Sequence, residues 1–385
     1  MTSRRAALVL VSVVLASVTA RGQEAPAGAP PETFGELALR AGEAREGGRL
    51  PEAARLYEEA VTRRAEWDEG WWHLGAALYQ SDRCDEARAA FARFVALKPE
   101  VGPGWALRGL CEFEVSERVE ARTHLEKALA LGLGGNRELE RNVRWTLAAL
   151  YVKEGEFERA MEPLTWLAAL STEMPGLDGA IGLALLRRSM LPSEVPESER
   201  DLVGKVGRAG RLLLATREDE AKQEFDEVVE AYPEVPWIHY AYGAALKKID
   251  PDRALAEFRR ELEIQPTNVY ALLEIAFELL LRGAAQDALG PAERAALLAP
   301  DLFAARYALG RVLVDLDQVE RGIVELERAA ILAPDVPEMH FALARAYARA
   351  GRTEDTERAR ARFAELVRRA EGGSPPATAP EDAKP

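Results

Sequence analysis

The chain has 385 residues, of which 48% are hydrophobic and 30% are charged, and its 64 acidic and 50 basic residues leave a net charge of −14. This excess of acid excludes the large basic face with which nucleic-acid-binding proteins neutralise phosphates. Two cysteines are too few for a small disulfide-built scaffold. Alanine, leucine, arginine and glutamate favour helices and are abundant, so we expect an acidic helical protein.

Residues 1–20 have the pattern of a secretory signal peptide. Arg4 and Arg5 precede an apolar stretch of about 15 residues, and small residues lead up to Ala20. This pattern predicts cleavage after Ala20 and an exported protein, either periplasmic or secreted. The alternative is an uncleaved membrane anchor, although the stretch is shorter than the ~20 residues that span a bilayer. A membrane is expected as a partner only in that case.

Two further segments show no apolar periodicity. Residues 21–33 and 371–385 are rich in proline, glycine and alanine. Such segments bury too little apolar surface to offset the entropy of ordering the chain. We therefore predict a disordered linker at 21–33 and a disordered tail at 371–385.

The main feature of the sequence is an internal repeat of about 34 residues. Its clearest copy carries Trp71, Gly75, Ala87, Phe91 and Pro99. Residues of the same types recur at matching distances along the chain. In the C-terminal half, prolines that close successive periods are separated by 33, 34 and 34 residues: Pro233, Pro266, Pro300 and Pro334.

Each period predicts two helices that pack closely through small residues. In the first helix, the small residue is one of Gly75, Gly109, Ala148, Gly182, Gly243 and Gly310. In the second helix, it is one of Ala53, Ala87, Ala121, Ala160, Ala221, Ala254 and Ala288. A large apolar residue follows four positions later on the same helical face, where it fills the next gap.

This spacing resembles the tetratricopeptide repeat family, with its W-x-x-L-G-x-x-Y, A-x-x-x-F and Pro positions in 34 residues. The resemblance implies an all-α fold, a right-handed α-solenoid of stacked antiparallel helix pairs whose first helices line the concave side of a superhelix. Nine repeats are predicted, at residues 34–67, 68–101, 102–135, 141–174, 202–235, 236–268, 269–302, 303–336 and 337–370. They form an N-terminal array over 34–174 and a C-terminal array over 202–370.

Two segments depart from the period. Residues 136–140 are predicted to be a short insertion. Residues 175–201 are predicted to hold one apolar helix at about Leu177–Met190, followed by a Pro/Ser/Glu stretch that does not fit a second helix. This segment is either a half-repeat that bends the array or a loop that separates two sub-arrays.

No catalytic or metal-binding motif is visible in the sequence. His73, His124, His239 and His340 fall in four different repeats, so no pair has metal-ligand spacing. His239 and His340 stand where the repeat often has tryptophan, which predicts partial burial in helix packing. We therefore expect no catalytic residues, no metal and no cofactor, and we expect the protein not to be an enzyme.

The two cysteines fall at facing helix ends. Cys84 opens the second helix of one repeat, and Cys111 lies near the end of the first helix of the next. Antiparallel packing would bring these ends together. Both a disulfide and two separately buried thiols remain open, because sequence does not give the Cα distance.

The resemblance also implies a peptide-binding groove along the first helices. Projecting the register places a set of aromatic and basic residues on the concave side: Trp72, Tyr79, Phe113, Trp145, Tyr240, Tyr270, Phe277, Tyr307, Arg311, Phe341 and Arg345. Aromatic residues commonly anchor interfaces, but about half of these are expected to pack between neighbouring first helices. We expect Trp71 to fill the core of its own repeat and Trp72, about 100° away, to point elsewhere.

The function expected from the sequence is that of an exported, non-enzymatic repeat scaffold. Its concave face is expected to bind another protein or a peptide of unknown identity. A membrane-anchored assembly factor of the cell envelope is the first alternative. An enzyme is the second, but residues 175–201 offer no nucleophile paired with a base.

Overall fold

The computed structural model describes residues 32–170 and 174–370, and all regular structure in these residues is helical. The predicted signal peptide, most of the 21–33 linker and the 371–385 tail lie outside them. The helices are α1 (Phe34–Glu46), α2 (Leu50–Arg63), α3 (Asp68–Gln80), α4 (Cys84–Leu97), α5 (Gly102–Glu114), α6 (Arg118–Leu131), α7 (Arg137–Glu154), α8 (Phe157–Ala168), α9 (Leu177–Leu185), α10 (Arg200–Leu214), α11 (Glu218–Ala231), α12 (Ile238–Leu246), α13 (Pro251–Ile264), α14 (Val269–Leu281), α15 (Ala285–Leu298), α16 (Phe303–Asp315), α17 (Val319–Leu332), α18 (Pro337–Arg349) and α19 (Thr353–Ala370). This all-α architecture of helix pairs confirms the predicted fold class.

Contacts between the helices define two compact units, Met1–Val203 and Gly204–Pro385, and α10 spans their boundary. Within the first unit, α1 to α9 each pack against the next helix, and the first helices α5, α7 and α9 also adjoin. Within the second unit, α11 to α19 follow the same order, and α14, α16 and α18 adjoin. First helices therefore form a layer of their own in these parts of each unit.

The short turns within the helix pairs share one hydrogen-bonded closure, except the turn between α12 and α13, where Ile249 and Asp250 both donate to the carbonyl of Leu246. One turn residue has a positive φ, as in Gly48 (φ 70°), Asp82 (φ 58°) and Asp317 (φ 63°). The next residue then donates its N–H to a carbonyl oxygen of the last turn of the first helix. For example, the N–H of Arg83 donates to the carbonyl of Leu78 at 3.0 Å. This closure satisfies carbonyls at the helix end and reverses the chain.

Close approach of the two helices depends on the predicted small residues. A Cβ added to Gly75 would lie 2.7 Å from the ring of Phe91, which is fully buried. The same 2.7 Å approach recurs in three other repeats, in the pairs Gly109–Leu125, Gly243–Phe258 and Gly310–Leu326. The structure thus packs a small residue of the first helix against a large residue of the second, fifteen or sixteen positions later.

A side-chain N–H at the start of the first helix reaches back six residues to a backbone carbonyl. The donor–acceptor pairs are Trp71–Ala65, Trp105–Pro99, His239–Pro233, Arg306–Pro300 and His340–Pro334, with distances of 2.8 to 3.0 Å. In the repeat that begins at residue 269, the equivalent position is Leu272, whose side chain has no N–H donor. The carbonyl of Pro266 instead accepts a hydrogen bond from the guanidinium of Arg294 at 2.7 Å. His239 is buried and His340 half-buried, as their position in the repeat predicted.

The two irregular segments differ from their predicted forms. Residues 137–140 are the first turn of α7, and the side chain of Asn136 caps this helix by accepting the N–H of Leu139 at 3.0 Å. The extra residues therefore lengthen a helix because the asparagine supplies an N-cap. In 175–201, α9 ends at Leu185, short of the predicted end at Met190, and two 3₁₀ turns follow in place of a second helix.

Candidate protein-binding surface

Three aromatic rings cluster where α12 meets α14. The ring centroid of Trp237 lies 5.5 Å from that of Tyr240 and 5.9 Å from that of Tyr270. The centroids of Tyr240 and Tyr270 are 6.2 Å apart. The structure therefore brings together two residues predicted to share a face and adds Trp237, which the projection missed. Trp237 lies one position before α12 and outside the helical register, so helical spacing carries no signal for it.

A buried carboxylate holds this cluster in place. Glu261 of α13 is 0% exposed and accepts the backbone N–H of Trp237 at 2.9 and 3.0 Å and that of Tyr240 at 3.2 Å. The amide of Asn268 donates a further hydrogen bond at 3.1 Å. Burial raises the pKa of Glu261, although these N–H donors oppose the rise. Glu261 thus caps the start of α12 from a neighbouring helix.

A second ring pair lies between α14 and α16. The centroids of Phe277 and Tyr307 are 6.1 Å apart. Tyr307 also packs against the buried core formed by α16 to α19. Both residues therefore take part in packing between adjacent first helices while remaining half-buried.

The most open part of this layer lies on α16 and α18. Phe341 is 49% exposed, more than any other aromatic side chain in residues 32–170 and 174–370, and its ring lies 5.5 Å from that of Phe363. Beside it is a shallow depression lined by Arg311, Val314, Asp315, Leu326, Ala342 and Arg345. Neither lining arginine forms an ion pair within the described residues. We call Tyr307, Arg311, Phe341 and Arg345 the α16–α18 surface.

In the first unit, the two adjacent tryptophans make different contacts. The ring of Trp72 packs against α4 of its own repeat, 5.1 Å from Phe94 and 5.9 Å from Phe91. The indole of Trp71 is instead directed to the carbonyl of Ala65. Trp72 remains half-buried, so only part of its ring faces outward.

The other predicted residues of the first unit are distributed along it. Tyr79 and Phe113 are half-buried near the ends of α3 and α5. Trp145 lies on α7, and its ring borders Gly176 at the start of α9, where an added Cβ would be 3.2 Å away.

The two cysteine thiols are close enough to interact, and this interaction lowers the pKa of Cys84 and raises that of Cys111. Both are free thiols, with Cys84 half-buried at the start of α4 and Cys111 buried in α5. The structure therefore brings together the helix ends that the repeat pattern placed opposite each other. The structure holds both as free thiols, and the disulfide alternative stays a prediction.

The histidines are held in structural hydrogen bonds. Nδ1 of His73 lies 2.8 Å from a guanidinium nitrogen of Arg45, and burial together with this cation lowers the pKa of His73 to about 4. His239 lies 2.6 Å from a carboxylate oxygen of Glu257. Burial lowers the pKa of His239, but its hydrogen bonds to Glu257 and the Pro233 carbonyl, together with the negative charges of Glu257 and Glu261, raise that pKa overall. The described part of the chain holds no cluster of three or more potential metal ligands. Nor does it contain a helix long and apolar enough to cross a bilayer.

These features define a helical-repeat protein whose units are paired helices with a shared turn and register. The family model for the tetratricopeptide repeat matches residues 39–101 and 307–374, about a third of the chain. These two segments therefore carry tetratricopeptide repeats, and the second contains the α16–α18 surface. Repeat arrays of this kind bind other proteins through extended surfaces, which supports a protein-interaction scaffold with a protein partner.

Among solved structures, the chain is similar in fold to several described as MamA. "MamA RS-1 ArsTM double mutant" is 24% identical with a TM-score of 0.41, over 44% of this chain and 95% of that one. "MamA 41-end from Desulfovibrio magneticus RS-1" is 24% identical with a TM-score of 0.39, over 44% and 94%. "Crystal structure of MamA" is 17% identical with a TM-score of 0.39, over 43% and 96%. No curated protein matches the chain.

Proposed function

We propose that this protein is an exported, non-enzymatic scaffold that binds another protein through the exposed face of its first helices. The observation that carries the proposal is the α16–α18 surface. An exposed phenylalanine lies beside two arginines that have no ion-pair partner in the described residues. Aromatic and arginine side chains are the types enriched at the energetic centres of protein interfaces.

The depression beside Phe341 supports the same role. Its lining from Val314, Leu326 and Ala342 is apolar, and its small size suits contact with a small aliphatic group of a partner. The flanking arginines can pair with a carboxylate, and Asp315 in the same lining limits how much negative charge fits there. This combination suits a peptide segment with one acidic group next to an apolar side chain.

Quantitative affinity capture from a cell-envelope extract tests this proposal. The bait is the chain, the test variant combines Phe341→Ala with Arg345→Ala, and the matched control is Ile331→Ala. Ile331 is 78% exposed but lies on α17, a second helix. Losing an interface anchor costs about 2 kcal/mol, or about thirtyfold in affinity.

The expected result is at least one captured protein that the double variant loses and the control retains. Its dissociation constant, measured with purified components, should rise about thirtyfold for Phe341→Ala. If every captured protein binds the double variant as well as the parent, the α16–α18 surface is not the binding site.

Export is the second part of the proposal and rests on the signal pattern of residues 1–20. N-terminal sequencing of the protein from its producing cells distinguishes the alternatives. A chain that begins at Arg21 supports export with cleavage after Ala20. A chain that keeps its leader and fractionates with membranes supports the anchored assembly factor.

A further inference from the structure

The sequence contains two cysteines, on helices α4 and α5 that pack against each other, and their thiols are close enough to interact. Cys84 is the first residue of α4, and Cys111 lies in α5, the first helix of the next repeat. A buried residue touches about 6–12 others, so two cysteines placed at random in a chain of 385 residues would touch in roughly one case in forty. Their contact is therefore poorly explained by chance.

The repeat itself confirms that these two positions face each other. Val319 opens α17 as Cys84 opens α4, and Ala346 stands in α18 where Cys111 stands in α5. Val319 and Ala346 belong to one buried core cluster in the second unit. The equivalent positions in the second unit therefore belong to one buried apolar cluster, whereas the first unit holds two thiols there.

We propose that Cys84 and Cys111 form a dithiol–disulfide site that links two consecutive repeats covalently when a disulfide oxidant such as oxidised glutathione is present. Cys84 is half-buried and can be reached by the oxidant, while Cys111 is 0% exposed and can react only with Cys84. The site is independent of the α16–α18 surface, which lies in the other unit.

The reaction consists of two exchange steps. The thiolate of Cys84 attacks one sulfur of oxidised glutathione, forms a mixed disulfide and displaces the first glutathione thiolate. Cys111 then loses its proton, attacks the sulfur of Cys84 and displaces the second glutathione. The protein gives up two protons and two electrons, and one oxidised glutathione becomes two reduced glutathiones.

The hydrogen bond between the thiols favours this order. It lowers the pKa of Cys84, which is the acceptor, so Cys84 is the better first nucleophile. The same hydrogen bond, together with burial, raises the pKa of Cys111. Cys111 therefore stays protonated until ionised Cys84 has been consumed in the mixed disulfide.

The disulfide would constrain the chain across the boundary between two repeats. It would close a loop running from the start of α4 to the middle of α5 and limit the unfolded conformations of this segment. We therefore expect the unfolding midpoint of the oxidised protein to lie several degrees above that of the reduced protein. A reductant should reverse the difference.

The test uses the full chain, reduced, desalted and then incubated with oxidised glutathione. Free thiols are counted in denaturant, and the digest is analysed by mass spectrometry for a peptide joining Cys84 to Cys111. Cys84→Ala and Cys111→Ala are the matched variants. We expect the parent to lose both thiols and yield the joined peptide, and Cys111→Ala to stop at a glutathione adduct on Cys84.

Three outcomes would overturn the proposal: two free thiols in the parent, a stable glutathione adduct on Cys84 in the parent, or a disulfide between two chains. Circular dichroism shows whether each variant folds. If a variant does not fold, the thiol count and the peptide map of the parent protein still test the proposal. If a reductant does not change the unfolding midpoint of the fully oxidised parent protein, the disulfide does not stabilise the fold.

Discussion

Gly75→Ala tests the packing principle on which the whole repeat depends. The added methyl group would lie 2.7 Å from Cε1 of Phe91 and 2.9 Å from its Cδ1 and Cζ. Favourable carbon–carbon contacts lie at about 3.5–4.0 Å, so the ring or the helix has to move by nearly 1 Å. Phe91 is 0% exposed and is also in contact with Trp72, which leaves the ring little room to withdraw.

Two opposing effects set the magnitude. Overpacking a well-filled core costs about 1–3 kcal/mol. Replacing glycine with alanine inside a helix contributes about 1 kcal/mol in the opposite direction. Because Phe91 is enclosed on its far side, the cost should be near the upper end of its range. We expect a net loss of about 2 kcal/mol in the free energy of unfolding.

Gly42→Ala is the matched control, since Gly42 lies inside α1 with no atom within 4 Å of its added Cβ. This change should stabilise the protein by about 0.5–1 kcal/mol. Urea denaturation followed by circular dichroism gives both values, and the two substitutions should have opposite signs.

Hydrogen exchange adds a spatial test of the same substitution. Solenoid stability is a sum of terms within repeats and between neighbours, so Gly75→Ala should loosen 68–101 before 303–336. Equal stabilisation by Gly75→Ala and Gly42→Ala would refute the close-packing argument. Exchange that rises equally in 68–101 and 303–336 would refute its locality.

Other predictions concern hydrogen bonds and titration. Because the pKa of His73 is about 4 in the folded protein and 6.5 in the unfolded one, stability is complete above pH 6.5 and falls by about 3 kcal/mol as pH drops to about 4. His73→Asn should flatten this part of the profile in pH-dependent urea denaturation. Glu261→Ala leaves two backbone N–H groups and the amide of Asn268 without their acceptor, so it should lower the free energy of unfolding by about 3 kcal/mol. The control Glu263→Ala changes an exposed residue of the same helix and should lower it by less than about 0.5 kcal/mol. Trp105→Phe removes the N–H donor to the carbonyl of Pro99 and replaces the buried indole with a smaller phenyl ring. A loss of about 1–2 kcal/mol in the free energy of unfolding is expected in urea denaturation.

The helical fold and the helix pairs could be predicted from the sequence because each repeat is built from local contacts. Gly75 and Phe91 are sixteen residues apart, and a short turn is enough to bring them together. A similar spacing recurs along the chain, so each 34-residue period predicts the same packing of its two helices. Placing Cys84 opposite Cys111 followed from the same register.

Which side chains share a surface depended on tertiary contacts. Trp71 and Trp72 are four and three residues before Gly75, and both spacings put a side chain on the same face of a helix. The sequence did not show that the ring of Trp72 packs against Phe91 and Phe94 of α4, or that the indole of Trp71 donates to the carbonyl of Ala65. Periodicity locates a residue on its helix but does not identify the partners that neighbouring helices bring to it.

Trp237 and the open face of α18 show the same limit. Trp237 stands outside any helical register, and its orientation is set by Glu261 of another helix, through a hydrogen bond that no local pattern contains. Phe341 and Tyr307 occupy equivalent positions 34 residues apart, yet Phe341 is exposed while Tyr307 is half-buried. Their periodic position was predictable from the sequence, whereas their exposure was decided by the side chains that the tertiary structure packs around each ring.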